Sequence, residues 1–150
     1  MKIAIGCDHA GFTLKQTVLQ VLQEQHCTVL DCGTHSAERT DFPDFALKAA
    51  QLVACGQADR AILICGSGVG MCITANKVKG IRASVCHDTY SAHQAVEHDN
   101  LNVLCLGARI IGPATAQELV KQFLSASFKT GTRHEKRLDK ITAFENAHLN

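Results

Sequence analysis

Short runs of apolar and β-branched residues alternate along this chain with longer segments in which apolar residues recur every three or four positions. The short runs predict buried strands, and the longer segments predict amphipathic helices. The predicted strands are residues 2–5, 28–30, 61–64, 83–86 and 103–106. The predicted helices are residues 13–25, 44–55, 70–78, 90–98 and 113–125.

Strands that alternate with helices are joined by crossovers, which make the strands parallel and place helices on both faces of the sheet. The pattern therefore predicts an α/β fold, a three-layer, doubly wound, Rossmann-like domain with a five-stranded parallel sheet. No linker or repeat divides residues 1–150, so one domain is expected. Thr132 and Glu135 have the spacing of a capping box, which predicts a C-terminal helical tail over about residues 132–147. This tail either covers the domain's own core or packs on a partner subunit.

The charge of the chain is nearly balanced, with 15 Lys and Arg against 14 Asp and Glu. Partners such as nucleic acid or an anionic membrane usually require a large, clustered excess of Lys and Arg. Neither partner is therefore expected, and any anion site must be local. The chain also lacks an apolar stretch near the ~20 residues that span a bilayer, and its first residues do not resemble a signal peptide.

The eight cysteines contain no C-x-x-C pair, which argues against a disulfide scaffold or a zinc site. Several lie in apolar runs, where a reduced thiol packs as a small hydrophobic group. Free thiols persist in a reducing compartment, so we expect a cytoplasmic protein. The eight histidines form no close His-x-x-x-His pair, and no metal is expected.

The strongest local signal is the segment from Cys65 to Gly70, which joins a predicted strand to a predicted helix through alternating glycines. Glycine amides can approach an oxyanion closely, and a helix N-terminus adds positive potential. The same potential favours the thiolate of Cys65 as a nucleophile or base. The pattern equally fits a buried cysteine before a phosphate-binding turn. Met71 breaks the G-x-G-x-x-G pattern, which weakens the case for a dinucleotide site.

Polar residues also follow the other predicted strands, where open parallel sheets bind their ligands. Asp8 and His9 follow the first strand, and Arg109 follows the fifth. Arg133 and Arg137 lie one turn apart in the predicted tail. Arginine forks match phosphate oxygens, so these residues indicate a small phosphorylated ligand. The spacing of the tail pair alone also fits a solvated helix face.

At these residues the chain resembles the ribose-5-phosphate isomerase B family, which also includes galactose-6-phosphate and allose-6-phosphate isomerases. The resemblance covers nearly the whole chain. It rests on the segments 6–11, 38–44, 65–70, 75–77, 80–83 and 102–109, which read GCDHAG, ERTDFPD, CGSGVG, ANK, GIRA and NVLCLGAR.

The resemblance implies an isomerase that interconverts ribose 5-phosphate and ribulose 5-phosphate through a cis-enediolate, with no cofactor. Cys65 would be the base that moves a proton between C2 and C1, and His98 would open the furanose ring. Ser67 and the loop would stabilise the enediolate oxygens. The loop residues implied to contact substrate are Gly66, Gly68, Val69 and Gly70.

The resemblance also implies the remaining substrate contacts. Asp8 and Asp99 would lie near the sugar hydroxyls. The residues implied around the phosphate are His9, Arg109, Arg133 and Arg137. The two tail arginines would come from a neighbouring subunit, which implies a homodimer or tetramer with a shared active site.

Two positions depart from common patterns of the family, and two others distinguish its branches. Cys65 and Met71 place the chain in the branch that uses a thiol base, because the other branch carries a Glu at the position of Met71. Asp99 replaces a common Asn, and Phe42 replaces a common Tyr. The preference between pentose and hexose phosphates therefore stays open. The alternatives are an isomerase of a six-carbon aldose phosphate, a non-catalytic sugar-phosphate binding protein and a dinucleotide oxidoreductase.

Overall fold

Five parallel strands form the middle layer of the structure, a computed structural model that describes residues 1–148. The strands stand in the order β2-β1-β3-β5-β4 across the sheet. Their bounds are β1 (Lys2–Cys7), β2 (Thr28–Asp31), β3 (Arg60–Cys65), β4 (Ala83–Val85) and β5 (Val103–Gly107). Each strand overlaps its predicted position, and the predicted α/β fold class with its five-stranded parallel sheet is confirmed.

Helices cover both faces of this sheet. Their bounds are α1 (Phe12–Glu24), α2 (Phe42–Ala54), α3 (Val69–Ala75), α4 (Thr89–Asp99), α5 (Pro113–Ser125) and α6 (Arg133–His148). Helices α1, α4 and α5 pack on one face, where Ile62 and Phe123 are fully buried. Helices α2 and α3 pack on the other face, where Leu63 and Met71 are fully buried. Neighbouring strand residues thus face opposite layers, as the pleat requires.

The order of the strands creates a crevice at the carboxyl ends of β1 and β3. From β1 the chain moves outward to β2, whereas from β3 it moves in the other direction to β4. The loops that follow β1 and β3 therefore diverge, and ligands of open α/β sheets bind at such a switch point. The predicted site loops after β1 and β3 lie on either side of this crevice.

The start of α6 differs in detail from the predicted capping box. The Oγ1 of Thr132 accepts a hydrogen bond from the N–H of His134 at 3.2 Å. The carboxylate of Glu135 accepts from the N–H of Gly131 at 2.7 Å, rather than from Thr132. The reciprocal bond is displaced by one residue, and both side chains still satisfy amides near the helix start.

The tail helix α6 buries little of itself within this chain. It packs on α4, and its one buried residue is His134. The apolar residues Ile141 and Phe144 are 56% and 65% exposed. These two apolar residues are therefore largely uncovered by the described part of their own chain. No helix in residues 1–148 has both the length and the apolar character needed to cross a bilayer.

Candidate active site

A cavity of about 390 Å³ lies at the switch point between β1 and β3. Its wall comes from the loops after β1, β3 and β5, together with one side chain of α2. The predicted site residues in this wall are Asp8, His9, Cys65, Gly66, Ser67, Gly70 and Arg109. We refer to Asp8, His9, Cys65, Ser67 and Arg109 as the inner group.

Cys65 is the last residue of β3 and is only 5% exposed. Its Sγ accepts a hydrogen bond from the N–H of Gly68 at 3.1 Å. Gly68 adopts a left-handed conformation with φ of +82°, and a Cβ there would lie 3.1 Å from the carbonyl carbon of Leu106. A glycine is therefore needed to aim this amide at the sulfur. This donor fixes the position of Sγ in the wall of the cavity.

The remainder of the loop is held by its own side chains and by α2. Ser67 Oγ accepts from the N–H of Val69 at 3.3 Å. A Cβ on Gly70 would lie 2.8 Å from the ring of Phe42, so the absent side chain lets this ring close one side of the cavity. The cavity wall includes Gly66 and Gly70 but not Gly68 or Val69, whose amides are already bonded to Cys65 and Ser67.

Asp8 contributes one carboxylate oxygen to the local turn. Its Oδ1 accepts hydrogen bonds from the N–H groups of Ala10 and Gly11, both at 3.0 Å. These bonds fix the turn between β1 and α1. Within the described residues Oδ2 makes no hydrogen bond, so it can accept one from a sugar hydroxyl.

The imidazole of His9 is oriented by Thr40, a residue that sequence reasoning missed. The N–H of Thr40 donates to His9 Nδ1, and the N–H of His9 donates to Thr40 Oγ1, both at 3.2 Å. Because Nδ1 accepts a hydrogen bond, the neutral ring carries its proton on Nε2. His9 can then donate to an anion in the cavity. The two residues lie 31 positions apart in sequence, and no local pattern links them.

Arg109 places an exposed guanidinium group at the cavity wall. Its backbone N–H donates to the carbonyl of Gly66 at 3.0 Å, and the neighbouring N–H of Ala108 donates to the carbonyl of Cys65 at 2.9 Å. The Arg109 side chain lies across Gly66, where a Cβ would come within 3.4 Å of the guanidinium carbon. The backbone bonds thus hold Arg109 beside the loop that follows the thiol.

The other predicted residues form a second group that does not line this cavity. The tail group consists of His98, Asp99, Arg133 and Arg137. His98 stacks on His134, with ring centroids 3.8 Å apart and an angle of 12° between the planes. Its Nδ1 lies 2.6 Å from Nε2 of Gln94. Arg133 and Arg137 are exposed on α6.

The tail group and its surroundings are rich in positive charge. Burial lowers the pKa of His134, and the charges of His98, Arg133 and Arg137 lower it further. His134 and Gln94 were not among the predicted site residues. His134 stands between the two predicted arginines in the sequence, but only the packing of α6 on α4 shows that it contacts His98.

The thiols and acidic groups of residues 1–148 do not form a cluster of metal ligands. All eight cysteines are free thiols. Burial raises the pKa of Cys7 to about 11, so this thiol stays protonated. Among residues 1–148, no three or more His, Cys, Asp or Glu side chains are arranged to hold a metal ion.

Comparison with known proteins agrees with this geometry. Residues 3–141 match the model of the family described as Ribose/Galactose Isomerase. The chain is 48% identical over 144 residues to ribose-5-phosphate isomerase B of Escherichia coli strain K12, covering 96% of each chain. The solved ribose-5-phosphate isomerase B of Clostridium thermocellum is 45% identical, with a TM-score of 0.94 over 99% of each chain.

A second solved relative carries a sugar phosphate. The ribose-5-phosphate isomerase B of Mycoplasma genitalium, solved with bound ribulose-5-phosphate, is 41% identical to this chain. The TM-score is 0.90, and the match covers 97% of this chain and 96% of the relative. Because the family model spans most of the sequence, the chain belongs to the Ribose/Galactose Isomerase family. The resemblance inferred from the sequence is confirmed.

Proposed function

We propose that this protein is an aldose–ketose isomerase that interconverts ribose 5-phosphate and ribulose 5-phosphate. The observation that carries the proposal is the position of Cys65. Its Sγ is held by the N–H of Gly68 in the wall of a cavity that also presents Ser67 and Arg109. A base beside oxyanion donors and a cation is the arrangement that proton transfer next to a carbonyl requires.

The reaction begins when the Cys65 thiolate removes the proton from C2 of the open-chain aldose. The electron pair of the C2–H bond forms a C1–C2 double bond, and the C1 carbonyl oxygen becomes the enediolate oxygen. Ser67 Oγ and the amides of Gly66 and Gly70, the two loop glycines in the cavity wall, donate hydrogen bonds to this developing charge. Return of the proton to C1, with transfer of the O2 proton to O1, gives the ketose. His9 Nε2 and Arg109 bind the phosphate.

The cyclic sugar must open before this step, and we assign that role to His98. His98, Arg133 and Arg137 do not line the Cys65 cavity of their own chain. Both arginines are exposed, and α6 has an apolar face that its own chain leaves open. We therefore infer that a neighbouring subunit supplies the tail group and that the smallest active unit is a homodimer. The eight free thiols support a cytoplasmic location.

A second candidate is isomerisation of a six-carbon aldose phosphate. The family description names both ribose and galactose. Phe42 presents an apolar ring without a hydroxyl to the cavity, so it cannot donate a hydrogen bond to an additional sugar hydroxyl. We therefore favour the pentose phosphate.

The deciding experiment is detection of ribulose 5-phosphate formed from ribose 5-phosphate, with and without a chelator. We expect turnover that the chelator does not reduce. A panel with allose 6-phosphate and galactose 6-phosphate should show lower kcat/KM than ribose 5-phosphate. Faster turnover of a hexose phosphate would support the second candidate. Binding without turnover and without proton exchange at C2 would support a non-catalytic binding protein.

A further inference from the structure

We propose that His134 is a positioning residue that acts through His98, by stacking on its imidazole and holding it for ring opening. This inference rests on the proposed isomerase function. The two rings are nearly parallel, with centroids 3.8 Å apart and an angle of 12°. His134 is the buried residue of α6, so this stack is a principal contact between the tail helix and the rest of its chain.

The position of His134 links the ring to the arginines of the tail. Arg133 precedes His134, and Arg137 follows it by three residues, about one helical turn. Both arginines are exposed while His134 is buried. The stack therefore contributes both to the orientation of the His98 ring and to the position from which the two guanidinium groups extend.

Gln94 lies at the edge of the His98 ring, with its side-chain amide 2.6 Å from Nδ1. An amide has a donor on one atom and an acceptor on the other, so it can partner Nδ1 with or without a proton. Nε2 is then the nitrogen left to exchange protons with substrate. In ring opening the bond from C1 to the ring oxygen breaks, the ring oxygen gains a proton, and the C1 hydroxyl loses one as the carbonyl forms. His98 relays that proton, and none is consumed.

The surroundings of His134 disfavour its protonated form. Burial is the largest cause that lowers the pKa of His134, and the charges of His98, Arg133 and Arg137 lower it further. Asp99 acts in the opposite direction. Two stacked imidazolium rings would repel each other. His134 is therefore a neutral platform beside the ring of His98.

The test separates ring opening from enolisation. Net conversion of ribose 5-phosphate needs both steps, whereas exchange of the C1 protons of ribulose 5-phosphate with D2O needs only enolisation, because this ketose cannot close a furanose ring. Both rates are measured at saturating sugar phosphate. Weaker phosphate binding caused by displaced arginines then appears in KM and not in the comparison of rates.

We expect His134→Ala to lower net conversion by about 10-fold to 100-fold, while C1 exchange stays within about twofold of wild type. His134→Phe keeps an aromatic platform without a titrating nitrogen and should restore most of the conversion. The imidazole resonances of His98 should move in His134→Ala, because the ring current of the stacked partner is lost.

Equal losses of conversion and exchange in His134→Ala would overturn the proposal, as would unchanged conversion, unchanged His98 resonances or the absence of recovery in His134→Phe. His98→Asn distinguishes this failure from failure of the proposed function. If His98→Asn loses both rates equally, the ring-opening role of His98 is wrong. If the wild-type protein converts no ribose 5-phosphate, the isomerase assignment itself is wrong.

Discussion

The inner group and the tail group carry the same kinds of side chain but are built in different ways. Cys65 and Asp8 of the inner group are buried at the ends of β3 and β1, and backbone amides hold their polar atoms. Arg133 and Arg137 of the tail group are exposed on α6. All five residues of the inner group line one cavity of a single chain, whereas the tail group lies outside that cavity.

This difference matches the different demands of proton transfer and of phosphate binding. Enolisation requires a base within hydrogen-bonding reach of its proton, and rigid strand ends provide such positions. Phosphate binding tolerates more movement, because long arginine side chains can reach toward their ligand. The expected consequence is that changes in the inner group reduce turnover, and that changes in the tail group can be complemented by another subunit.

The largest expected effect is the loss of the thiol. Cys65→Ala should lower turnover by about 10²–10⁴-fold, while calorimetry still detects sugar-phosphate binding, because Ser67, His9 and Arg109 remain. Cys32→Ala is a matched control, since Cys32 is also 5% exposed but does not line the cavity. Full turnover in Cys65→Ala would refute the base assignment.

Mixing variants tests whether the two groups meet across subunits. Cys65→Ala and the double variant Arg133→Ala with Arg137→Ala should each be strongly impaired. When the two are unfolded and refolded together, turnover should recover to about a quarter of wild type, since half of the random dimers are mixed and each mixed dimer holds one intact site. A mixture of Cys65→Ala with Arg109→Ala should recover none, because both changes lie in the inner group. Absence of recovery in the first mixture would contradict a shared site.

A smaller effect is expected from the loop that aims an amide at the thiol. Gly68→Ala and Gly56→Ala both place a side chain on a left-handed backbone, with φ of +82° and +73°. Gly56→Ala should lower the free energy of unfolding by about 1–2 kcal/mol in chemical denaturation. Gly68→Ala should lower it further, because its Cβ would also lie 3.1 Å from the carbonyl carbon of Leu106. Only Gly68→Ala should also lower turnover, because it alone is bonded to Cys65. Equal turnover in the two variants would separate the Gly68 amide from the chemistry.

The smallest expected effect concerns pH. His87 Nε2 accepts the N–H of Gly107 at 2.9 Å, and burial lowers the pKa of His87. The unfolded chain protonates His87 near the ordinary pKa of about 6.5, whereas the folded chain does so only at lower pH. The contribution of His87 to the free energy of unfolding is therefore complete above the pKa of the unfolded chain and decreases as the pH falls below that pKa. Urea titrations of His87→Gln should show a smaller decrease between about pH 7 and pH 5 than wild type, and an equal decrease would exclude this role.

The fold was largely predictable because its determinants are local. Each strand is a short apolar run, and each of the first five helices has an apolar stripe. The local pattern therefore predicts that residues such as Ile62 and Phe123 are buried in the core. The boundaries moved by a few residues at helix starts, as at α2, which begins at Phe42 and not at residue 44. There Pro43 occupies the first turn, where its missing N–H costs no hydrogen bond.

The chain's own residue pattern determined the layers, the crevice loops, the thiol before a glycine turn and the scarcity of clustered charge. Local periodicity and turn chemistry encode these features directly. Only the tertiary structure decided that Thr40 orients His9, that His134 stacks on His98, and that the predicted residues separate into an inner and a tail group. Such contacts join residues that are distant in sequence, and the packing of α6 on α4 and of the loops around the sheet brings them together. The geometry of these contacts depends on how the whole chain packs, and a local sequence pattern does not predict it.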